Sequence, residues 1–144
     1  MNKDKDILKF YLIASITVNL IFALCVVCCA NDIAIKTIAY EGSSQSMAGQ
    51  IAIASVIKTR MIQRHQTSTA VCKAPYQFSC WNPKTGAPTQ RRKLTPIEME
   101  VARQAWNQAR PRKYNHYCRW DVKPYWIKSA KSSERIGDHV FYEL

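Results

Sequence analysis

The sequence predicts a mainly helical α+β domain with a small β element, preceded by one N-terminal apolar helix. Three observations carry this. Phe10 to Ala30 runs 21 residues without a charge. Met47–Gln63 and Thr95–Arg110 repeat apolar residues at three- and four-residue steps. From Tyr114 onward the chain is rich in aromatics and broken into short pieces that suit strands.

A length of 144 residues holds one domain and an anchor. The boundaries fall at 1–30 for the anchor or signal and 31–144 for the body. The formal net charge is +11, and after Ala30 there are 18 Lys/Arg against 8 Asp/Glu. A basic surface of this kind fits a polyanion: nucleic acid, anionic lipid or an acidic wall polymer. No phosphate-binding glycine loop, nucleophile elbow or internal repeat is present.

Lys3, Lys5 and Lys9 precede the apolar segment. A bilayer-spanning helix needs about 20 residues, whereas the apolar part of a cleaved signal peptide is roughly 7–15. The basic flank stays inside, which sends the body outward. The expectation is an exported body, either anchored through residues 10–30 or released by cleavage after Ala30. Export removes it from nucleic acid. Ser15, Thr17 and Asn19 make the span marginal, and Cys25, Cys28 and Cys29 read as small apolar filler.

Asn31-Asp32 can cap a helix through Ile33, Ile35, Ile38 and Ala39, which Gly42–Ser46 then breaks. Glu41 sits at that break and is the only acid between Lys36 and Glu98. A lone carboxylate at a helix end beside a Gly/Ser loop suits a general acid, and equally a solvated glutamate. An acid that holds its proton at neutral pH also requires the cationic side chains to stay off the cleft floor. The following helix, about Met47 to Gln63, is expected to bury one stripe: Met47, Ile51, Ala54, Ile57 (or Val56) and Met61.

Thr67–Gln90 reads as an irregular region centred on Tyr76–Trp81, YQFSCW. Its aromatic faces and polar tips suit sugar rings, and single aromatics also suit a core. Cys72 and Cys80, close together in a loop of an exported body, are expected to form a disulfide. Two cysteines without suitably spaced histidines make no zinc site, so neither a metal nor a cofactor is expected. Thr95-Pro96-Ile97-Glu98 is a capping box with proline at the first helical position. That helix should bury Ile97, Val101 and Ala105, with Ala102 and Trp106 beside them. Extended pieces are expected around Tyr117, Val122–Trp126 and His139–Tyr142, separated by a polar Lys128–Glu134 loop. His116 and His139 suit ligands, bases or satisfied polar groups.

These motifs in this order resemble a known family. AYEG…AGQIAIASVI.TR (Ala39–Arg60), C…QFSCW (Cys72–Trp81), HY…VKPYW (His116–Trp126) and IGDHVFY (Ile136–Tyr142) are similar to the cell-wall hydrolases typified by spore cortex-lytic enzymes, with relatives in phage genomes. The resemblance implies a lysozyme-like, mainly helical domain with a small β element lining a glycan cleft. It places the catalytic glutamate, in a segment resembling G-E-A-R-G-E, on Glu41. The second glutamate of that segment is Gln45 here, and the histidine expected after Tyr117 is Cys118.

The function so implied is cleavage of the MurNAc–GlcNAc β-1,4 bond of peptidoglycan, as a lytic transglycosylase forming 1,6-anhydro-MurNAc, in the setting of a phage endolysin. No carboxylate near Glu41 in sequence supplies a second catalytic group, although a fold can bring Asp121 or Asp138 close and so permit hydrolytic muramidase chemistry. Gln50, Gln77, Ser79, Tyr117 and Trp126 are assigned to holding the glycan and His116 to orienting it. The partners expected are peptidoglycan strands and the bacterial inner membrane, with the body in the periplasm or outside. The rival reading is a non-catalytic cationic membrane protein that binds wall polymer.

Overall fold

The computed structural model describes residues 15, 31–82 and 92–144. Apart from Ser15, the apolar segment expected to anchor or export the chain lies outside the described residues. No helix among the described residues is long and apolar enough to cross a membrane. The chain divides between Asn31 and Asp32, and the account below concerns Asp32–Leu144.

Among the described residues of this body, four helices come first: α1 (Asp32–Glu41), α2 (Met47–Arg64), α3 (Ser68–Lys73) and α4 (Pro96–Gln108), with a 3-10 turn at Ser79–Trp81 between the last two. Three strands follow, β1 (His116–Arg119), β2 (Ser132–Ile136) and β3 (His139–Glu143), with a second 3-10 turn, Tyr125–Ser129, between β1 and β2. The sheet is antiparallel in the order β1-β3-β2. β2 and β3 are joined by the two-residue turn Gly137-Asp138, where Gly137 takes φ +60, the positive φ that the first position of a tight hairpin turn demands.

Local chemistry sets the helix ends. Ser46 caps α2, its hydroxyl accepting from Gly49 N at 3.4 Å, and Thr67 caps α3 in the same manner. At α4 the capping box forms in both directions: Thr95 accepts from Glu98 N, and the Glu98 carboxylate accepts from Thr95 N at 2.8 Å. Arg92 adds a salt bridge to Glu98, and these donors hold the Glu98 carboxyl down to about 2.

The core wraps α2. Ile53, Ala54, Val56 and Ile57 are buried against Ala34, Ile38 and Ala39 of α1, Val71 and Cys72 of α3, Ala102 and Ala105 of α4, and Phe141 of β3. The single buried stripe expected for α2 is therefore too narrow. Gly49, Gln50, Ala52, Ser55, Thr59 and Arg60 are buried as well, while Met47, Ile51 and Met61 are only partly so. A helix in contact with neighbours on several sides buries most of its circumference.

Three further expectations give way. Ile97 is 76% exposed, and α4 packs through Ala102, Ala105 and Trp106. Val122–Trp126 forms no strand; its end enters the 3-10 turn, and the polar stretch assigned to a loop, Lys128–Glu134, holds the first three residues of β2. Within Thr67–Gln90, six residues are helical as α3. In both of the latter cases pairing and packing with distant segments outweighed the polar, loop-like local composition.

Candidate active site

Glu41 is the last residue of α1, and Gly42 lets the chain turn sharply behind it. A Cβ on Gly42 would lie 2.8 Å from Ile38 O and 2.9 Å from the Gln50 side chain. The carboxylate is met by the turn at Ser79–Trp81. Ser79 Oγ and Cys80 N each donate to Glu41 Oε1 at 2.9 Å. On the other side Tyr117 Oη lies 3.5 Å from Oε2. One carboxyl oxygen is thus anchored by two donors, while the other faces a phenol across a longer gap.

The YQFSCW segment achieves this by dividing its side chains. Phe78 and Cys80 enter the core. Trp81 Nε1 donates to Thr37 Oγ1 at 2.7 Å, and the Thr37 hydroxyl donates to Ile33 O. Thr37 lies one helical turn before Glu41, so Trp81 pins the turn to the helix that carries the acid. Ser79, between two buried neighbours, is left pointing at Glu41.

The loop after Glu41 is tied to the hairpin. Gln45 Nε2 donates to Asp138 Oδ2 at 3.4 Å, and Asp138 N donates to Gln45 Oε1 at 3.2 Å. A glutamate at position 45 would offer only acceptors and set a second negative charge beside Asp138. The amide supplies both roles, which gives the Gln45 departure from the resembled pattern a physical account.

A cleft of about 490 Å³ opens beside the acid, lined by Arg60, Tyr76, Gln77, His116, Tyr117, Cys118, Pro124, Tyr125 and Trp126. Glu41 itself is not in that lining; Tyr117 joins the two, touching Glu41 through its hydroxyl while its ring forms cleft wall. Burial, and after it the Glu41 charge, raise the Tyr117 phenol well above its ordinary value, so it stays protonated and able to donate. His116 packs 5.2 Å from Trp126, ring to ring. Its Nδ1 is 2.9 Å from Asn115 Oδ1, which also accepts from Leu144 N. The imidazole therefore carries its proton on Nδ1 and leaves Nε2 as an acceptor. Burial, then Arg60 and Arg64, push it down to about 4, so it is neutral at physiological pH.

Of the side chains expected at the site, Ser79 and Tyr117 touch Glu41, and Gln77, His116 and Trp126 line the cleft. Gln50 is placed elsewhere. It is buried below Gly42 and lines a separate cavity of about 140 Å³ with Ala39, Ser43, Ile97, Glu98 and Val101. Asp121 pairs with Arg119 and Asp138 with Gln45, and among the described residues neither hydrogen-bonds to Glu41. The expected Cys72–Cys80 bridge is absent: both are free, buried thiols. Cys72 faces the core from α3 beside Thr37, and Cys80 is held by its backbone bond to Glu41. Spacing in sequence carries no information on these directions. Burial pushes the Cys72 thiol up to about 11 and the Cys80 thiol higher still, which leaves both unreactive.

Tyr125, Tyr76 and Arg60 line the cleft although the sequence reading gave none of them an individual role there. Tyr125 is 87% exposed and Tyr76 71% exposed, with Tyr76 at φ +61, uncommon for a tyrosine. Tyr125 lies inside the VKPYW motif and was legible as an aromatic there. The backbone of Tyr76 left no trace in sequence. Arg60 lines the cleft although cationic side chains were expected to stay off its floor.

One carboxylate fixed beside an open, aromatic-walled cleft, on a small helical domain, is the arrangement of a hydrolase acting on sugar polymers. The match to known proteins is specific: the Cell Wall Hydrolase family model matches residues 44–142, and the chain belongs to that family. The matched range begins just beyond Glu41. The fold is similar to the catalytic domain of the germination-specific lytic transglycosylase SleB from Bacillus anthracis, with a TM-score of 0.58 at 22% identity, covering 78% of this chain and 94% of that one. The catalytic domain of the Bacillus cereus SleB protein gives 0.57 at 22% identity, covering 78% and 90%. No curated protein matches the sequence.

Proposed function

We propose that this cell-wall hydrolase is a lytic transglycosylase cleaving the MurNAc–GlcNAc β-1,4 bond, with Glu41 as its single acid and base. The observation that carries this is the asymmetric hold on Glu41: Ser79 Oγ and Cys80 N donate to Oε1 at 2.9 Å, while Oε2 faces the Tyr117 hydroxyl at 3.5 Å, on the side of the cleft. Glu41 Oε2–H gives its proton to the bridging oxygen as the C1–O bond breaks, releasing the GlcNAc 4-hydroxyl and leaving an oxocarbenium-like sugar. The muramic 6-hydroxyl then attacks C1 and returns its proton to Glu41, closing the 1,6-anhydro ring.

The engagement of Asp121 and Asp138 with Arg119 and Gln45 favours this single-carboxylate route over one using two. Tyr117, its hydroxyl 3.5 Å from Oε2, forms the wall that joins acid to cleft. Gln77, His116 and Trp126 hold the glycan along it. The segment 1–30 exports the body 31–144 and holds it at the inner membrane or frees it, as suits a phage endolysin.

Mass spectrometry of purified peptidoglycan digested by the protein tests the reading. Fragments ending in 1,6-anhydro-MurNAc, lighter by one water than hydrolytic products, are expected. Reducing-end muramic acid as the only product would replace the transglycosylase by a muramidase. Wall left intact by a folded protein would leave only a cationic wall binder.

A further inference from the structure

We propose that Arg60 is a carboxylate-recognition residue, so that the cleft selects glycan bearing a free carboxylate near the bond to be cleaved. This rests on the glycan-cleaving reading above and adds to it what the substrate must carry.

The observations concern one buried charge. Arg60 is 4% exposed, near the C-terminal end of α2. Its Nε donates to Asn115 O at 2.6 Å, and the guanidinium lies 5.3 Å from the centre of the Phe78 ring. Nη1 is buried without a hydrogen-bond partner. No carboxylate pairs with Arg60 among the described residues; the groups acting on its charge are Tyr117, Arg64 and Cys72. Burial lowers it to about 10, which still leaves it charged at neutral pH.

A buried cation without an anion is costly, and one carbonyl and one ring offset only part of the loss. The neighbouring cations differ. Lys58 has two carbonyls, Trp106 O at 2.7 Å and Ala109 O at 3.0 Å, while Arg64 donates to Gln77 Oε1. Arg60 alone among these combines near-complete burial, an orphaned donor and a place in the cleft lining.

The cleft indicates which anion would complete it. Tyr76, Tyr117, Tyr125 and Trp126 offer flat faces for sugar rings. A planar guanidinium matches a planar carboxylate with two parallel N–H···O bonds. Peptidoglycan offers that group in two places: the stem peptide, or the lactyl ether of a muramic acid whose peptide has been removed. The recognised chemistry is the same in both.

The test compares wild-type protein on four glycan preparations: strands with intact stem peptides, strands stripped by an amidase to expose the lactyl carboxylate, and the same two after carbodiimide amidation of every carboxylate. Loss of a charge-assisted contact should raise KM about tenfold or more on amidated strands, with kcat nearly constant. A low KM on intact strands alone assigns the stem-peptide carboxylate, and a low KM on stripped strands assigns the lactyl one. Arg60→Gln should lose the discrimination and Arg60→Lys should recover part of it. If either variant unfolds, the wild-type comparison decides alone. Equal KM on amidated and unmodified strands would overturn the proposal while leaving the glycosidase in place. Failure to cleave any preparation would overturn the glycosidase reading and this one with it.

Discussion

The helical part, Asp32–Gln108, and the part from Asn115 to Leu144 are built on opposite plans. In the first, apolar side chains from α1 to α4 close around α2 and the ends are fixed by local caps. In the second, Phe141 is the one buried hydrophobic side chain. The rest is held by strand ladders and by aromatic rings such as Tyr117 against Phe141 at 5.5 Å and Trp126 against Tyr142 at 5.4 Å. The helical part holds Glu41 and nearly all of the buried apolar core, and the strand part supplies most of the cleft wall. Damage to the two should therefore look different: lost folding in one, lost function on a standing fold in the other.

The sharpest way to break that division is Glu41→Gln, which lies in the helical part but carries the proposed proton transfer. It keeps shape and hydrogen-bonding capacity and removes the transferable proton. Turnover on wall substrate should fall by about 10²–10⁴-fold or more, with the thermal midpoint little changed. A folded Glu41→Gln protein that still clears wall would remove the acid from its assigned role.

Ile57→Ala tests the opposite pole. The side chain is fully buried in the middle of α2, so truncation should cost about 2–5 kcal/mol in denaturant unfolding. Activity per folded molecule should be retained, since Ile57 is not among the residues lining the cleft. Loss of activity without loss of stability would blur the division.

A smaller effect belongs to the strand part and is read by pH. His116 titrates at about 4 in the folded chain, against an ordinary value near 6.5. Between those values the unfolded chain binds a proton that the folded chain refuses, so stability falls as pH drops from about 6.5 towards 4. Above about 6.5 the residue contributes no slope. Unfolding midpoints at pH 7 and pH 5 should differ more for the wild type than for His116→Gln. An identical difference in both would mean that burial does not restrain this imidazole.

Smallest is Thr95→Ala, which removes the cap of α4, far in sequence from every cleft residue. It should cost about 0.5–2 kcal/mol, measured by thermal unfolding, and leave KM on wall glycan unchanged.

The sequence by itself determined what lies within a few residues along the chain. The capping box at Thr95–Glu98 and the break at Gly42–Ser46 were legible because their hydrogen bonds join neighbours three or four residues apart. Glu41 was legible as a lone acid at a helix end. The tertiary structure decided which faces are buried and what meets across the cleft. Lys58, Thr59 and Arg60 look like the polar end of an amphipathic helix. Yet they bind carbonyls of Trp106 and Ala109, of Arg112 and of Asn115, stitching the connection from α4 to β1 onto α2. Gln50 shares their helix and went to another cavity; the thiols of Cys72 and Cys80 went to the core rather than to each other. Each of these outcomes depends on segments tens of residues away. Local spacing encodes the bonds that a helix makes with itself, and it leaves open which neighbour will take away its water.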